Sequence, residues 1–106
     1  MQEFVQIMVS GPGEDLGKIA KNLVESRLAA CVQISGPVYS TFRWKDKIEE
    51  EEEMSCLIKT TMLLYPLVEE EIRRSHSYEV PEILVFPVLA GNPDYLEWIQ
   101  SEVKQP

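Results

Sequence analysis

The segment Arg74–Ile83 contains the side chains of this chain that are best suited to chemistry. It holds His76, the single histidine, and Tyr78, Glu79 and Glu82 follow within six residues. An imidazole nitrogen binds copper, zinc or nickel, and carboxylates add oxygen ligands. The segment therefore predicts a metal site formed by the imidazole and the two carboxylates. The alternative is structural, because a histidine at a helix end interacts favourably with the helix dipole and Tyr-x-x-Pro is typical of a packed turn.

Cys31 and Cys56 are the two cysteines of the chain and offer a softer class of ligand. Copper prefers sulfur ligands, so Cys31 is a further candidate for the metal site. The two cysteines form no CxxC pair and no disulfide-dense pattern, which predicts free thiols in a reducing compartment. Burial as small apolar side chains is the favoured alternative for both.

Catalysis by this chain would require a nucleophile beside a base. Cys31 or Ser77 could serve as nucleophile with His76 as base, but no recognised catalytic motif surrounds either residue. We therefore expect no enzymatic activity. The glycine-containing loop Gly11–Lys18 carries Pro12 where a phosphate-binding loop requires glycine, so an ordinary strand-to-helix turn is expected there.

Composition limits the class of protein and its partners. The 106 residues are expected to form one domain, 1–106, and 44% hydrophobic with 26% charged residues is typical of a soluble globular protein. The formal net charge of −8 argues against nucleic acid as a partner, since phosphate binding depends on lysine and arginine. Eight of the 18 acidic residues lie in Glu49–Glu53 and Glu69–Glu71, runs that attract cations or form solvated faces.

Two features of the sequence bear on location. No apolar run reaches the roughly 20 residues that span a bilayer, so we expect no contact with a membrane. The start, Met1–Glu3, carries no positive charge, and the apolar run after it is too short for a signal peptide. A cytoplasmic location is therefore expected.

Hydrophobic periodicity predicts the elements that position these side chains. Alternation or apolar continuity marks strands, and a period of about 3.6 residues marks helices. The predicted order is a strand at Phe4–Ser10, a helix marked by Leu16 to Leu28, strands at Cys31–Trp44 and Ile48–Thr61, a helix marked by Leu64, Val68 and Ile72, a strand at Ile83–Ala90, and a last helix beginning at Asn92-Pro93. This order predicts an α+β fold, the ferredoxin-like βαββαβ sandwich with an extra C-terminal helix.

The second and third strands predict a long antiparallel hairpin. A three-residue loop, Lys45–Lys47, would place Trp44 opposite Ile48, and Gly36-Pro37 is expected to form a bulge or bend. The extended chain would span about 43 Å, against a radius of gyration of about 13 Å for a 100-residue domain, so the end must overhang. Phe42, Trp44 and Ile48 would share one face there and form an oligomer interface. The alternative is that the bend folds the tip back onto its own domain.

Five sequence blocks occur in order along nearly the whole chain. They are Leu28-Ala29-Ala30-Cys31-Val32, Trp44-x-x-Lys47-Ile48-x-x-Glu51, Ile58-Lys59-Thr60-Thr61, His76-x-Tyr78-Glu79-Val80-Pro81-Glu82-Ile83 and Asn92-x-x-Tyr95-Leu96-x-Trp98. In this order and spacing they resemble the CutA divalent-cation-tolerance family. The resemblance implies a cytoplasmic homotrimer of ferredoxin-like subunits, similar in architecture to the PII signalling proteins, with long hairpins in intersubunit sheets. It also implies a role in divalent metal tolerance, copper binding by some members, and no established enzymatic activity.

Self-association changes the expectation for the site. One histidine cannot form a tight metal site alone, but in a trimer His76 can face ligands from a neighbouring subunit. We therefore expect copper or another divalent cation to bind weakly at clefts between subunits. The alternative is a PII-like regulatory module that binds a small molecule in these clefts, near Trp44, Lys59 and Tyr78.

Overall fold

The computed structural model describes residues 3–105. Met1, Gln2 and Pro106 lie outside the described residues. The expectation about a signal peptide rests on Met1–Glu3, so most of that segment is outside the described residues as well. The elements in chain order are strand β1 (Phe4–Gly11), helix α1 (Gly13–Glu25), strand β2 (Cys31–Trp44), strand β3 (Lys47–Thr61), a 3-10 turn (Met62–Leu64), helix α2 (Tyr65–Ser75), strand β4 (Ile83–Pro87) and helix α3 (Pro93–Glu102). Within residues 3–105, no helix combines the length and the apolar character needed to cross a membrane.

The four strands form one antiparallel sheet in the order β2-β3-β1-β4. This order and the chain order of the elements are those of the ferredoxin-like fold, so the predicted fold class is confirmed. β4 lies at an edge of the sheet, where the missing N–H of Pro87 is tolerated, and it ends three residues before the predicted Ala90. α3 begins directly after Asn92 as predicted, although the Asn92 amide donates to the Asp94 side chain at 2.8 Å instead of capping the helix.

The core lies between one face of the sheet and the helices. β1 alternates buried and half-buried residues, because successive side chains of a strand point to opposite faces, and it contributes Val5, Ile7 and Val9 to the core. The buried residues of the helices are Leu16, Ile19 and Leu23 of α1, Val68 and Ile72 of α2, and Ile99 of α3. The sheet is therefore covered on one face by the amphipathic helices.

The opposite face of the sheet leaves apolar side chains in solvent. Leu84 and Phe86 of β4 are 47% and 45% exposed, and Leu84 lies opposite Met8 of β1. A nearly continuous apolar strand of this kind is expected to be buried on both faces, but in a single chain only the face of β4 that carries Ile83 and Val85 packs against the core. This open face is available for contact with another copy.

The long hairpin is confirmed, and it gives the molecule a principal extent of 45 Å against 25 Å and 21 Å in the other directions. The predicted three-residue loop is wrong, since Trp44 lies opposite Lys47 and only Lys45 and Asp46 form the turn. Both turn residues have positive φ, 50° and 68°. Two left-handed residues give a tight turn whose twist matches that of the strands it connects.

This turn shifts the register of the hairpin and separates the predicted interface residues. Arg43 lies opposite Ile48 and Phe42 lies opposite Glu49. Because directly opposed residues share a face, Ile48 lies on the opposite face from Phe42 and Trp44, and the prediction of one shared apolar face is wrong.

The predicted interruption at Gly36-Pro37 is confirmed, and it shifts the register again. Ile34 lies opposite Cys56, whereas Val38 lies opposite Glu53. Cys56 and Glu53 point to opposite faces of β3, so the apolar residues before and after the interruption do not share a face.

Cys56 is fully buried in β3, and its ionisation provides a test of the core. Burial raises the pKa of the Cys56 thiol to about 11, partly offset by a hydrogen bond with the Val9 backbone. The unfolded chain releases this proton at a lower pH, so the free energy of unfolding should fall by about 2 to 3 kcal/mol between roughly pH 9 and pH 11. Denaturant unfolding across this range measures the loss.

Cys56→Ala should remove this alkaline step, although it lowers stability at every pH by leaving a small cavity. Cys31→Ala is the matched control and should keep the step. An alkaline loss of equal size in both variants would assign it to lysine and tyrosine ionisation and contradict the prediction.

Candidate functional site

His76 occupies the C-terminal end of α2 and is held by three hydrogen bonds. Its N–H donates to the Ile72 carbonyl at 2.9 Å. Its ring Nδ1 accepts from the Tyr78 N–H at 3.2 Å, so Nε2 carries the proton and donates to the Ser10 carbonyl at 2.7 Å. The residue is 8% exposed, and both ring nitrogens are engaged within the chain. Both ring nitrogens therefore hold the segment after α2 against β1, and a neutral ring of this kind does not act as a charge partner for the helix dipole.

Ser10 connects His76 to Glu82. The Ser10 carbonyl accepts from the imidazole, and the Ser10 hydroxyl donates to the Glu82 carboxylate at 2.8 Å. Two of the four predicted metal ligands therefore meet at the end of β1. Among residues 3–105, no three side chains of His, Cys, Asp or Glu lie close enough together to hold a metal ion.

The segment after α2 is fixed to the start of α1 by Ser77. Its N–H and its hydroxyl both donate to Oδ2 of Asp15, at 2.9 Å and 2.6 Å. These two hydrogen bonds lower the pKa of the Asp15 carboxyl. The contact holds the backbone of Tyr78 and Glu79 in place beside the hairpin.

A cavity of about 360 Å³ lies between this segment and the hairpin. It is lined by Phe42, Trp44, Ser77, Tyr78, Glu79 and Val80. An adjoining cavity of about 230 Å³ shares the three aromatic residues and Val80, and its remaining walls are Ser10, Glu53 and Glu82. The structure thus brings together Trp44 and Tyr78, two of the three residues predicted for a ligand cleft.

Glu53 is a buried carboxylate in the wall of the adjoining cavity, and it is 7% exposed. Its Oε1 accepts from the Ser40 hydroxyl at 2.6 Å and its Oε2 accepts from the Tyr78 hydroxyl at 2.8 Å. Burial, then the hydrogen bond and charge of Glu53, raise the pKa of Tyr78 to about 12. The phenol therefore remains a neutral donor at physiological pH.

Sequence reasoning missed Glu53 and Ser40 as parts of the site. Glu53 belongs to the acidic run Glu49–Glu53, which has the composition of a solvated face. A two-residue turn would have placed it opposite Val38, on the face that carries Phe42 and Trp44, so the correct register was the missing signal.

Lys59 and Cys31 lie apart from these cavities. They face each other at the base of the hairpin, where the Lys59 ammonium donates to the Gln33 side-chain oxygen. Glu53 is six residues along β3, which is roughly 20 Å. Within one chain, neither residue reaches Tyr78, so only a neighbouring subunit could add such side chains to the site.

The three predicted interface residues are partly exposed in one chain. Phe42 and Trp44 are 38% and 37% exposed and line the cavities, whereas Ile48 on the other face is 61% exposed. Their place in an interface stays a prediction.

Known proteins resemble this chain in sequence and in structure. The profile of the CutA1 divalent ion tolerance protein family matches residues 5–102. The divalent-cation tolerance protein CutA of Thermus thermophilus is 43% identical over 102 residues, which cover 95% of this chain and 97% of that protein. Protein CutA of Mus musculus is 46% identical over 94 residues, which cover 88% of this chain and 53% of that protein. This chain thus spans about half the length of the mouse protein.

Comparison of the fold with solved structures also finds CutA1 proteins. Among solved structures, CutA1 from a psychrotrophic Shewanella species superposes with a TM-score of 0.94 and 36% identity over 97% of both chains. The family profile covers nearly the whole chain, and the Shewanella structure shares both its length and its fold. These matches support a role in divalent-cation tolerance. The chain belongs to the CutA1 divalent ion tolerance protein family.

Proposed function

We propose that this protein acts in divalent-cation tolerance as a cytoplasmic homotrimer that binds copper or another divalent cation weakly at clefts between subunits. The observation that carries the proposal is the meeting of His76 and Glu82 at Ser10, beside the cavity lined by Glu79. A ring nitrogen and two carboxylates are suitable donors for a borderline divalent ion.

The hydrogen bonds of His76 account for the weakness of this proposed binding. Its Nδ1 is held by the 3.2 Å hydrogen bond from the Tyr78 N–H, the longer of its two ring contacts. A metal ion at Nδ1 would replace that bond, which reduces the net gain. Further ligands would come from a neighbouring subunit.

Two features support assembly into a trimer. The sheet has an open face with Leu84 and Phe86 exposed, and β2 and β4 form its two edges. The overhanging hairpin extends β2 and β3 beyond the rest of the sheet, where its edge is available to another chain. A symmetric trimer would cover both surfaces.

Calorimetric titration of the assembled protein with Cu(II) tests the metal site. We expect stoichiometric binding to the wild type, and His76→Ala should weaken it by at least about tenfold because it removes the only imidazole. Glu97→Gln, an exposed change on α3, is the control and should bind as the wild type does. Binding that is unchanged in His76→Ala would remove this residue from the site.

A regulatory module that binds a small molecule is the second candidate function. The specific observation in its favour is the cavity of about 360 Å³, which is within the size range of small-molecule sites and has aromatic walls. A melting-temperature rise with a metabolite in metal-free buffer would support this function, and a broad library without any shift would count against it. Neither candidate assigns catalysis to the chain, in keeping with the name of the family as tolerance proteins.

A further inference from the structure

We propose that the cavity between the hairpin and the segment after α2 binds an organic cation, a substituted ammonium group held by aromatic rings and by the carboxylate of Glu53. This inference rests on the second candidate function, a small-molecule cleft, and states the chemical class of its ligand.

The aromatic walls are the first argument. Phe42, Trp44 and Tyr78 line both adjoining cavities, so three aromatic residues border one space. The face of an aromatic ring attracts a cation within about 6 Å, most strongly when the ring is an indole. The Trp44 ring already makes such a contact, because the Lys45 ammonium lies 5.6 Å from its centroid.

The unpaired charge of Glu53 is the second argument. Its two oxygens accept hydrogen bonds from the neutral hydroxyls of Ser40 and Tyr78. Glu53 is only 7% exposed. None of the ion pairs formed among residues 3–105 involves it. A buried carboxylate without a cationic partner is costly, and a bound cation would reduce that cost.

Further carboxylates near the Tyr78 phenol make the electrostatic potential of the cavity more negative. Besides Glu53, the charges of Glu51 and Asp15 help to raise the pKa of Tyr78. Glu82 lies in the wall of the adjoining cavity, where its carboxylate accepts a hydrogen bond from the Ser10 hydroxyl. Carboxylates therefore approach the space from the hairpin and from the segment after α2. The charged residues that line the two cavities are all acidic, and the Lys45 ammonium over the Trp44 ring is the cation described beside them.

The composition of the walls favours an organic cation over a bare metal ion at this place. A divalent ion requires several oxygen, nitrogen or sulfur ligands at close range, and no cluster of three such side chains occurs among residues 3–105. Aromatic carbon supplies no such ligand, but it packs well against the methyl or methylene groups of a substituted ammonium ion. The cavity suits a cation that carries apolar groups.

Competition between choline and its neutral isostere tests the proposal on the wild-type protein. In the isostere a tert-butyl group replaces trimethylammonium, so the two probes have nearly the same shape and differ in charge. Saturation-transfer NMR of the probe methyl groups, in buffer with a metal chelator, should give binding of choline at least about tenfold tighter than that of the isostere. Equal binding would overturn the inference and leave a cleft without charge selection. Binding of neither probe would overturn the inference alone, because the second candidate function is tested by the broad library.

Two variants assign the binding to this cavity. Glu53→Gln removes the charge and keeps an oxygen that can accept from a hydroxyl, and Trp44→Leu removes the best ring. Each should weaken choline binding by at least about tenfold. Trp98→Leu, an exposed tryptophan on α3 outside the cavity, is the control and should leave binding unchanged. Circular dichroism confirms that each variant is folded, and equal binding by all three variants would place the choline site elsewhere and overturn the proposal.

Discussion

Gly11→Ala is expected to lower the free energy of unfolding by about 2 to 4 kcal/mol, as overpacking of a tightly fitted site does. A Cβ atom on this residue would lie 2.6 Å from Nε2 and 2.8 Å from Cε1 of His76. The imidazole cannot move aside freely, because it is buried and donates a hydrogen bond to the carbonyl of Ser10, the residue before Gly11. The added methyl group must therefore displace the ring or the end of β1. Equilibrium denaturation measures the loss.

A second glycine and a double-mutant cycle make this prediction specific. Gly17→Ala, in α1 with no atom within 4 Å of the added Cβ, should instead gain about 0.5 to 1 kcal/mol from its higher helix propensity. In the background of His76→Ala the ring is gone, so Gly11→Ala should lose the part of its cost that comes from the clash and keep the part that comes from the positive φ of Gly11, 158°. Equal losses in both backgrounds would show that the clash with His76 is not the cause.

The close fit of Gly11 against His76 illustrates why the site was only partly predictable. The sequence places His76, Tyr78, Glu79 and Glu82 in one segment, and the structure keeps that segment together against β1 and the hairpin. The partners of that segment are distant in the chain, since Ser10 and Asp15 lie more than 60 residues before it. Periodicity predicts elements and faces, but it does not indicate which end of one strand meets a given loop.

The hairpin shows the same limit in its register. The apolar patterns of β2 and β3 predict two strands, and both were found. Their pairing depends on the turn, and Lys45-Asp46 contains no glycine to indicate that both residues adopt positive φ. Because the predicted turn was one residue too long, the prediction assigned Ile48 to the wrong face of the hairpin and left Glu53 out of the site.

Exposed apolar residues of β4 make self-assembly the other strong expectation. The double variant Leu84→Glu with Phe86→Glu should reduce the mass in solution from about three chains to one, near 12.2 kDa. In the proposed trimer these side chains, 47% and 45% exposed in one chain, are covered by another subunit. Two carboxylates would then be buried without partners, which is costly and should prevent assembly. Multi-angle light scattering after size exclusion measures the mass.

Controls at other exposed apolar residues separate the sheet face from the hairpin tip. Leu63→Glu changes a 60% exposed side chain in the 3-10 turn and should leave the assembly intact. Ile48→Glu changes the far face of the hairpin, and dissociation of this variant would show that the tip is buried between subunits as well. A wild-type mass near 12.2 kDa would refute the trimer. A double variant that keeps the wild-type mass would instead exclude the open face of the sheet as the interface, because solvent-exposed carboxylates there cost little.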